Sequence, residues 1–155
     1  MSSTITTEFG HVEPVEVYFD DLDAMGVVHN GRYAVLFERA LAAYWSPRGW
    51  AFDPSNPRFA EIFFVVREFT IRYRRPIVGV GPVHVHFWID DLGDTNVDYS
   101  FRVLSEDGQT LHAEGRRRQV KVDRTTLRPS PLSVSVREAC ELLRGPAAQH
   151  PRTGE

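Results

Sequence analysis

Residues 30–46 read NGRYAVLFERALAAYWS, and this stretch decides the fold class because its apolar side chains recur at the period of an α-helix. One apolar stripe runs along the predicted helix and consists of Tyr33, Leu36, Phe37, Ala40, Leu41 and Tyr44. Pro47 and Gly49 follow, as is common just beyond the end of a helix. We therefore expect one long amphipathic helix that begins near Asn30, with Asn30 as its N-cap.

The sequence on either side of this helix alternates between polar and apolar residues, which is the period of a half-buried strand. One strand is predicted before the helix at 12–19, and four are predicted after it, at 62–74, 83–91, 96–105 and 110–122. Asp107 and Gly108 indicate a tight hairpin between the last two strands, and 133–144 is predicted to form a short closing helix. This order predicts an α+β fold, in which an antiparallel five-stranded sheet packs on one long helix.

Length and composition exclude several classes of protein. A chain of 155 residues suits one domain, which we expect to span residues 1–155, with a core at about 12–132 and a frayed tail from 145. The single cysteine, Cys140, cannot form an internal disulfide or a cysteine-rich zinc module. The net charge of −3 argues against a nucleic-acid-binding protein. No segment has the pattern of a signal peptide or a membrane span, so we expect a cytoplasmic protein without membrane insertion.

The polar residues that could carry chemistry concentrate between the first strand and the helix, and they are Asp20, Asp21, Asp23, His29 and Asn30. This group permits three interpretations: a metal site, an acid–base site or an ordinary solvated turn. The ligand spacing of a calcium loop is absent, and so is a two-histidine zinc signature. A helix N-terminus offers free N–H groups to a carbonyl oxygen, and a carboxylate upstream could attack that carbonyl or activate water. The position therefore favours hydrolysis of an acyl group.

Residues 18–33, YFDDLDAMGVVHNGRY, and the FERA that follows at 37–40 resemble the active-site segment of hotdog-fold acyl-CoA thioesterases. The resemblance is to the 4-hydroxybenzoyl-CoA thioesterase family, including its YbgC-like branch. It covers about residues 12–132 and includes the later stretches 64–76, 107–115 and 120–129. The resemblance implies the hotdog fold, in which a five-stranded antiparallel sheet wraps around one long helix.

The resemblance also implies roles for individual residues of this segment. Asp23 matches the family's catalytic carboxylate, which acts as nucleophile or as general base. Asn30 stands where a backbone N–H holds the thioester carbonyl, and Gly31 follows it in the substrate-binding turn. The YbgC-like branch has Tyr-His where this chain has His29 and Asn30, so the histidine is displaced by one residue. His29 is therefore a candidate catalytic partner.

Further residues are candidates for binding the substrate. Tyr33 is expected in the wall of the pocket, and Arg74 and Arg75 are expected to meet the phosphates of CoA, because a guanidinium group suits phosphate. Arg72 and the arginines at 116–118 compete for that role, and a solvated sheet face is the alternative for each. The loop after the helix carries aromatic residues that we expect to shape the acyl pocket, namely Trp50, Phe52 and Phe59.

Three other polar residues are expected to have no part in catalysis. Glu38 lies mid-helix beside Arg39 and is expected in a surface or interface ion pair. His84 and His86 share one face of a strand, where no third metal ligand is evident. We expect that face to be solvated or to form an interface.

The predicted function is hydrolysis of an acyl-CoA or aroyl-CoA thioester to the free acid and CoA. No metal or redox cofactor is expected, and CoA enters only as part of the substrate. The alternatives are an acyl carrier protein thioesterase, a hotdog enoyl-thioester hydratase and a non-catalytic acyl-thioester binder. Because one helix covers only part of a five-stranded sheet and leaves an edge strand open, we expect a homodimer or a homotetramer.

Overall fold

A computed structural model describes residues 5–147, which form a sheet of five strands, one long helix and one short helix. The helices are α1 (Tyr33–Trp45) and α2 (Val134–Glu141). The strands are β1 (His11–Val17), β2 (Phe64–Tyr73), β3 (Gly81–Leu92), β4 (Asn96–Ser105) and β5 (Leu111–Lys121). All neighbouring strands are antiparallel, in the order β1-β3-β4-β5-β2. The predicted α+β fold with a five-stranded sheet on one long helix is confirmed.

Short 3₁₀ turns interrupt the chain at Phe19–Asp21, Asn30–Arg32, Ser46–Arg48 and Phe59–Ile62. The first of these turns shortens β1, which ends at Val17 rather than at the predicted residue 19. The predicted hairpin between β4 and β5 is present, and Gly108 has a φ of 75°, which favours glycine. The closing helix is present as α2, whereas most of the predicted tail lies outside the described residues.

Helix α1 packs on the inner face of the sheet, mainly over β1 and β3. Its predicted apolar stripe is buried, and Phe37 stacks on Phe101 of β4 with ring centroids 4.6 Å apart. Further along the helix, Trp45 donates a hydrogen bond from Nε1 to the Tyr99 hydroxyl at 3.1 Å. Because α1 lies to one side, the inner face of β4 and β5 towards β2 borders a cavity instead of the helix.

The outer face of the sheet carries buried polar residues, and here one prediction was wrong. His84 and His86 are buried, not solvated, and the chain's own N-terminal segment covers His86. The His86 ring nitrogen Nε2 lies 3.0 Å from the main-chain oxygen of Phe9, and the Phe9 ring packs against Trp88. The sequence pattern places these histidines on the outer face, but only the tertiary fold brings Phe9 over His86.

Within the described residues 5–147, strand β2 forms one edge of the sheet and pairs only with β5. Most of its residues are exposed, including Val65 and Val66 at 43% and 49%. An exposed edge strand with apolar side chains can pair with another strand. Within residues 5–147, no helix is long and apolar enough to cross a membrane.

Candidate active site

The loop between β1 and α1 is anchored by Asp21, which is fully buried. Its carboxylate accepts a hydrogen bond from the main-chain N–H of Tyr18 at 2.8 Å and one from Nε of Arg32 at 2.9 Å. Nη1 of Arg39, on α1, donates a third at 2.8 Å. The main-chain oxygen of Asp21 also accepts from the N–H of His29 at 2.9 Å. Asp21 therefore ties both ends of the loop to the helix.

The surroundings of Asp21 keep its carboxylate charged. Burial on its own raises the pKa, but the hydrogen bonds from Arg39, the Tyr18 N–H and Arg32 outweigh burial and lower the pKa to about 2. A carboxylate that is buried, ionised and fully paired has no oxygen free for a substrate. Of the three loop carboxylates predicted from the sequence, Asp21 is thus the structural one.

Asp23 sits in a tight turn that leaves half of its carboxylate free. Oδ1 accepts hydrogen bonds from the N–H groups of Met25 at 2.8 Å and Val27 at 3.4 Å. The turn closes through the N–H of Gly26, which bonds to the Asp23 main-chain oxygen at 3.0 Å, and Gly26 has a φ of 78°. Within the part of the chain that the structure describes, Oδ2 of Asp23 makes no hydrogen bond. One oxygen therefore fixes the side chain while the other is available for chemistry.

The start of the helix differs from the prediction that Asn30 is the N-cap. Asn30 lies inside the 3₁₀ turn, whose N-cap is His29, and α1 itself begins at Tyr33. Nδ1 of His29 accepts a hydrogen bond from the N–H of Gly31 at 3.0 Å. The usual capping residues are Asn, Asp, Ser and Thr, which is why the sequence favoured Asn30 over its neighbour.

This capping arrangement leaves one amide at the helix start unused. The side chain of His29 accepts a hydrogen bond from the N–H of Gly31, and its main-chain oxygen accepts one from the N–H of Arg32 at 2.9 Å. Among residues 5–147, no group accepts a hydrogen bond from the N–H of Asn30. A free N–H at this position can donate to a carbonyl oxygen. The catalytic role of His29 stays a prediction, and Nδ1 of its ring is occupied by the Gly31 N–H.

Tyr73, at the end of β2, belongs to this site and was not predicted from the sequence. Its hydroxyl donates a hydrogen bond to the main-chain oxygen of Asn30 at 2.9 Å, and its ring stands edge-on to Tyr33. Tyr33 is only 3% exposed, so its side chain supports the site from the core rather than lining an open surface. No sequence signal points to Tyr73, because the contact depends on where β2 ends relative to α1.

The segment after β2 frames the Asp23 loop. The N–H of Val28 bonds to the oxygen of Ile77, and the N–H of Gly79 bonds to the oxygen of Gly26, both at 2.9 Å. Arg74 and Arg75, the predicted phosphate-binding residues, directly precede this segment. Arg74 is paired with Glu114 at 2.8 Å. The guanidinium of Arg75 is exposed and has no partner in the described part of the chain.

The competing arginines of β5 are engaged elsewhere. Arg116 donates to Asp90 and Arg118 donates to Asp98, in both cases through two nitrogens on the outer face of the sheet. Arg117 points to the inner face and pairs with Glu38 at 3.2 Å, so Glu38 forms the predicted ion pair. No cluster of three or more metal-ligating side chains occurs within residues 5–147.

A cavity of about 410 Å³ lies between α1, the segment that follows it, the inner face of β4 and β5, and α2. Trp50 and Phe52 line it, whereas Phe59, the third aromatic residue expected there, does not. Cys140 is also in the wall, and burial raises the pKa of its thiol to about 12, so the thiol stays neutral. The cavity is therefore a largely apolar space beside the helix.

A five-stranded antiparallel sheet on a long helix, with a carboxylate turn closed against the start of that helix, defines a hotdog-fold thioester hydrolase. The model of the thioesterase-like superfamily matches residues 17–140, and the chain belongs to this family.

Relatives and solved structures agree with this family. Acyl-CoA thioester hydrolase YbgC of Escherichia coli O6:H1 is 28% identical over 123 residues, which are 79% of this chain and 90% of that protein. A thioesterase of Thermus thermophilus, solved with coenzyme A and zinc, has a TM-score of 0.72 and 28% identity, over 89% of this chain and 97% of that one. The DHNA-CoA thioesterase of Staphylococcus aureus has a TM-score of 0.71 and 23% identity, over 84% and 86% of the two chains, and shows the fold alone.

Proposed function

We propose that the protein hydrolyses acyl-CoA thioesters to the free acid and CoA, with Asp23 as the reacting carboxylate. The observation that carries this proposal is that one hydrogen-bonded loop presents two groups without a partner in the described chain. They are the carboxylate oxygen Oδ2 of Asp23 and the N–H of Asn30. The relatives named as acyl-CoA thioester hydrolases support CoA as the thiol part of the substrate.

The N–H of Asn30 polarises the thioester carbonyl. As the carbonyl carbon becomes tetrahedral, negative charge builds on its oxygen, and a donor that is already in place stabilises that charge without reorganising. Tyr73 and His29 both hold the next peptide unit, between Asn30 and Gly31: the Tyr73 hydroxyl donates to its oxygen, and Nδ1 of His29 accepts from its N–H. The N–H of Asn30 is thus the one amide of this turn that is left to bind the oxygen of the thioester carbonyl.

Asp23 supplies the group that attacks the polarised carbonyl carbon or activates the water that does so. As a general base, Oδ2 takes a proton from water, the resulting hydroxide adds to the carbonyl carbon, and the C–S bond breaks as the CoA thiolate leaves and is protonated. As a nucleophile, Oδ2 adds to the carbonyl carbon directly, and the C–S bond breaks as the CoA thiolate leaves and is protonated. Water then hydrolyses the mixed anhydride, which releases the free acid and restores the Asp23 carboxylate. Both routes use the same free oxygen.

We assign the binding of the CoA phosphates to the two arginines that follow β2. Arg75 has an unpaired guanidinium within the described chain, and Arg74 can exchange its partly exposed partner Glu114 for a phosphate. Both residues follow Tyr73, which contacts the helix start, so the two arginines lie at the same end of β2 as the proposed reaction centre. Arginine binds phosphate through two parallel N–H groups.

We further infer that the functional unit is a homodimer formed along β2, with a pair of dimers as the larger alternative. Strand β2 is an exposed edge with the apolar residues Val65 and Val66. Pairing of two copies of β2 would join the sheets and bring a second subunit beside the open part of the inner face. No other covering for this edge is present among the described residues.

The test is release of free thiol from a panel of acyl-CoAs by the wild-type protein, the Asp23→Asn variant and the Asp20→Asn variant. Asp20 is an exposed neighbour with the same chemistry and serves as the matched control. We expect Asp23→Asn to lose at least a hundredfold in turnover, because it removes the acid–base or nucleophilic group. Near-wild-type hydrolysis by Asp23→Asn, or no hydrolysis by the wild type, contradicts the proposal.

A further inference from the structure

The cavity beside α1 has a largely apolar wall and a volume that suits a small ligand. It is lined by side chains from the helix, the following segment, the sheet and α2, among them Leu41, Trp45, Trp50, Phe64 and Val97. Its volume of about 410 Å³ lies within the range of small-molecule sites in proteins. Such sites owe their specificity to a few polar groups placed in an apolar lining.

Three polar side chains enter this cavity from neighbouring strands. Tyr99 on β4 and Arg117 on β5 are directly paired across the strands. Gln119 lies two residues beyond Arg117 on the same face, opposite Val97. The three side chains thus form one row of polar groups on the inner face of the sheet, where the remaining wall is mostly apolar.

Each member of this row has an unused hydrogen-bond donor. The Tyr99 hydroxyl accepts from Trp45, but in the described chain its own proton has no acceptor. Nε of Arg117 is buried and has no partner among the described residues. Gln119 is 8% exposed, and its amide makes no hydrogen bond to any residue in 5–147. Unpaired donors are costly to bury, so a ligand that supplies an acceptor here is favoured over a purely apolar one.

The charges around the row favour a neutral acceptor. Arg117 is already paired with Glu38, whose carboxylate would repel an anionic group that approached the same guanidinium. Burial raises the pKa of the Tyr99 hydroxyl, so that group remains a donor. The group of a ligand that fits the row is therefore a carbonyl, ether or hydroxyl oxygen.

The cavity lies within reach of the proposed reaction centre. Glu38, at its edge, comes seven residues after Gly31, and the rise of a helix places them about 11 Å apart along the axis. A medium-length acyl group whose carbonyl sits at the start of the helix could therefore extend along α1 into this space.

We infer that the cavity binds the acyl part of the substrate and selects acyl groups that carry an uncharged hydrogen-bond acceptor distant from the thioester, through the amide of Gln119, with Tyr99 and Arg117 completing the polar row. This inference rests on the proposed thioesterase activity. It predicts a preference between acyl groups of equal length that differ only in one oxygen.

The preference is tested with octanoyl-CoA and 7-oxooctanoyl-CoA. We expect wild-type kcat/KM to be about tenfold higher for the oxo compound, as one neutral hydrogen bond can supply. Gln119→Leu should lower this ratio towards one, whereas Gln109→Leu, a matched change in an exposed turn, should keep the wild-type ratio. A wild-type ratio near one, or a ratio unchanged in Gln119→Leu, overturns the inference.

Binding separates failure of this inference from failure of the proposed function. Trp45 and Trp50 lie in the cavity wall, so their emission should respond when the cavity is filled. Titration of Asp23→Asn with the two acyl-CoAs should show tighter binding of 7-oxooctanoyl-CoA, and the difference should vanish when Gln119→Leu is added. Preferential binding without wild-type turnover refutes the proposed function alone, while turnover without any preference refutes the cavity inference alone.

Discussion

The hydroxyl of Tyr73 donates a hydrogen bond to the main-chain oxygen of Asn30 at 2.9 Å, which joins the last residue of β2 to the turn that starts the helix. The free N–H of Asn30 that we assign to the thioester carbonyl belongs to the preceding peptide unit, between His29 and Asn30. Tyr73 therefore acts on this donor through the adjoining peptide unit, from an edge strand that is distant in the sequence. A strand that pairs with a second subunit would in this way contact the reaction centre.

Loss of the Tyr73 hydroxyl is expected to impair catalysis more than stability. Tyr73→Phe should lower kcat about three- to tenfold, because a hydrogen bond of this kind contributes about 0.5–1.5 kcal/mol. Tyr18→Phe is the control, since the Tyr18 hydroxyl makes no hydrogen bond in the described chain. Steady-state kinetics and thermal unfolding of both variants give the measurement. Equal kcat values for the two variants would show that the Tyr73 bond does not orient the site.

The two roles considered for His29 give opposite results in a rescue experiment. If His29 acts as a cap on the Gly31 N–H, His29→Ala should lose stability by about 0.5–2 kcal/mol, and His29→Asn should recover most of it along with activity. An asparagine can cap a helix but cannot take the place of a catalytic imidazole. Activity as low in His29→Asn as in His29→Ala, with stability restored, would assign His29 to catalysis.

Replacement of the buried loop anchor is expected to destabilise the protein. Asp21→Asn removes a charge that Arg32 and Arg39 pair with, and we expect it to lower the free energy of unfolding by about 2–3 kcal/mol at pH 7. The exposed neighbour Asp20 provides the matched variant Asp20→Asn, which should change stability by less than about 0.5 kcal/mol. Urea unfolding of the two variants measures the difference, and similar values for both would contradict the anchor role.

The low pKa of Asp21 also predicts how stability depends on pH. Because the folded pKa of about 2 lies below the ordinary value of about 3.9, this carboxylate stabilises the fold above about pH 5 and loses its effect as the pH falls towards 2. The difference in free energy of unfolding between the wild type and Asp21→Asn should therefore decrease by about 2 kcal/mol as the pH is lowered from 6 to 2.5. A difference that is constant over this range would indicate that Asp21 has an ordinary pKa.

The exposed edge of β2 predicts the oligomeric state. The wild type should have a mass of about twice 17.7 kDa, or a further doubling of this, by light scattering. Val65→Glu places like charges along the pairing edge of both subunits and should shift the mass towards 17.7 kDa. The corresponding change at the exposed Val134 of α2 should leave the mass unchanged. A wild-type monomer would exclude pairing along β2.

The fold was predictable from periodicity because polar and apolar residues alternate along the strands, and apolar residues recur with the helical period along α1. The apolar stripe of α1 and the range of β4 agree with the structure, and Asp107 and Gly108 do form the turn between β4 and β5. These features are local, so a few neighbouring residues determine them. The end of β1 and the start of α1 differ from the prediction because 3₁₀ turns, which have no period of their own, replace the last residues of the predicted strand and the first residues of the predicted helix.

The site was predictable only in part, since its remaining features depend on contacts between distant residues. In the sequence, the three carboxylates of the loop are equivalent in type, and only the positions of Arg32 and Arg39 identify Asp21 as the buried one. Tyr73 joins the site through the geometry of β2. The polar row in the cavity likewise depends on the register between β4 and β5, which places Tyr99 beside Arg117.

The strand order also bears on how the chain folds while it is being synthesised. Strand β2 ends at Tyr73, yet its only sheet neighbour, β5, is completed at Lys121, about 50 residues later. At ordinary translation rates, this edge remains unpaired for about 2 to 10 s on the ribosome. During that interval the backbone of β2 and its core-facing side chains Phe69 and Ile71 are open to other nascent chains, so the protein should depend more on chaperones during translation than during refolding of the complete chain.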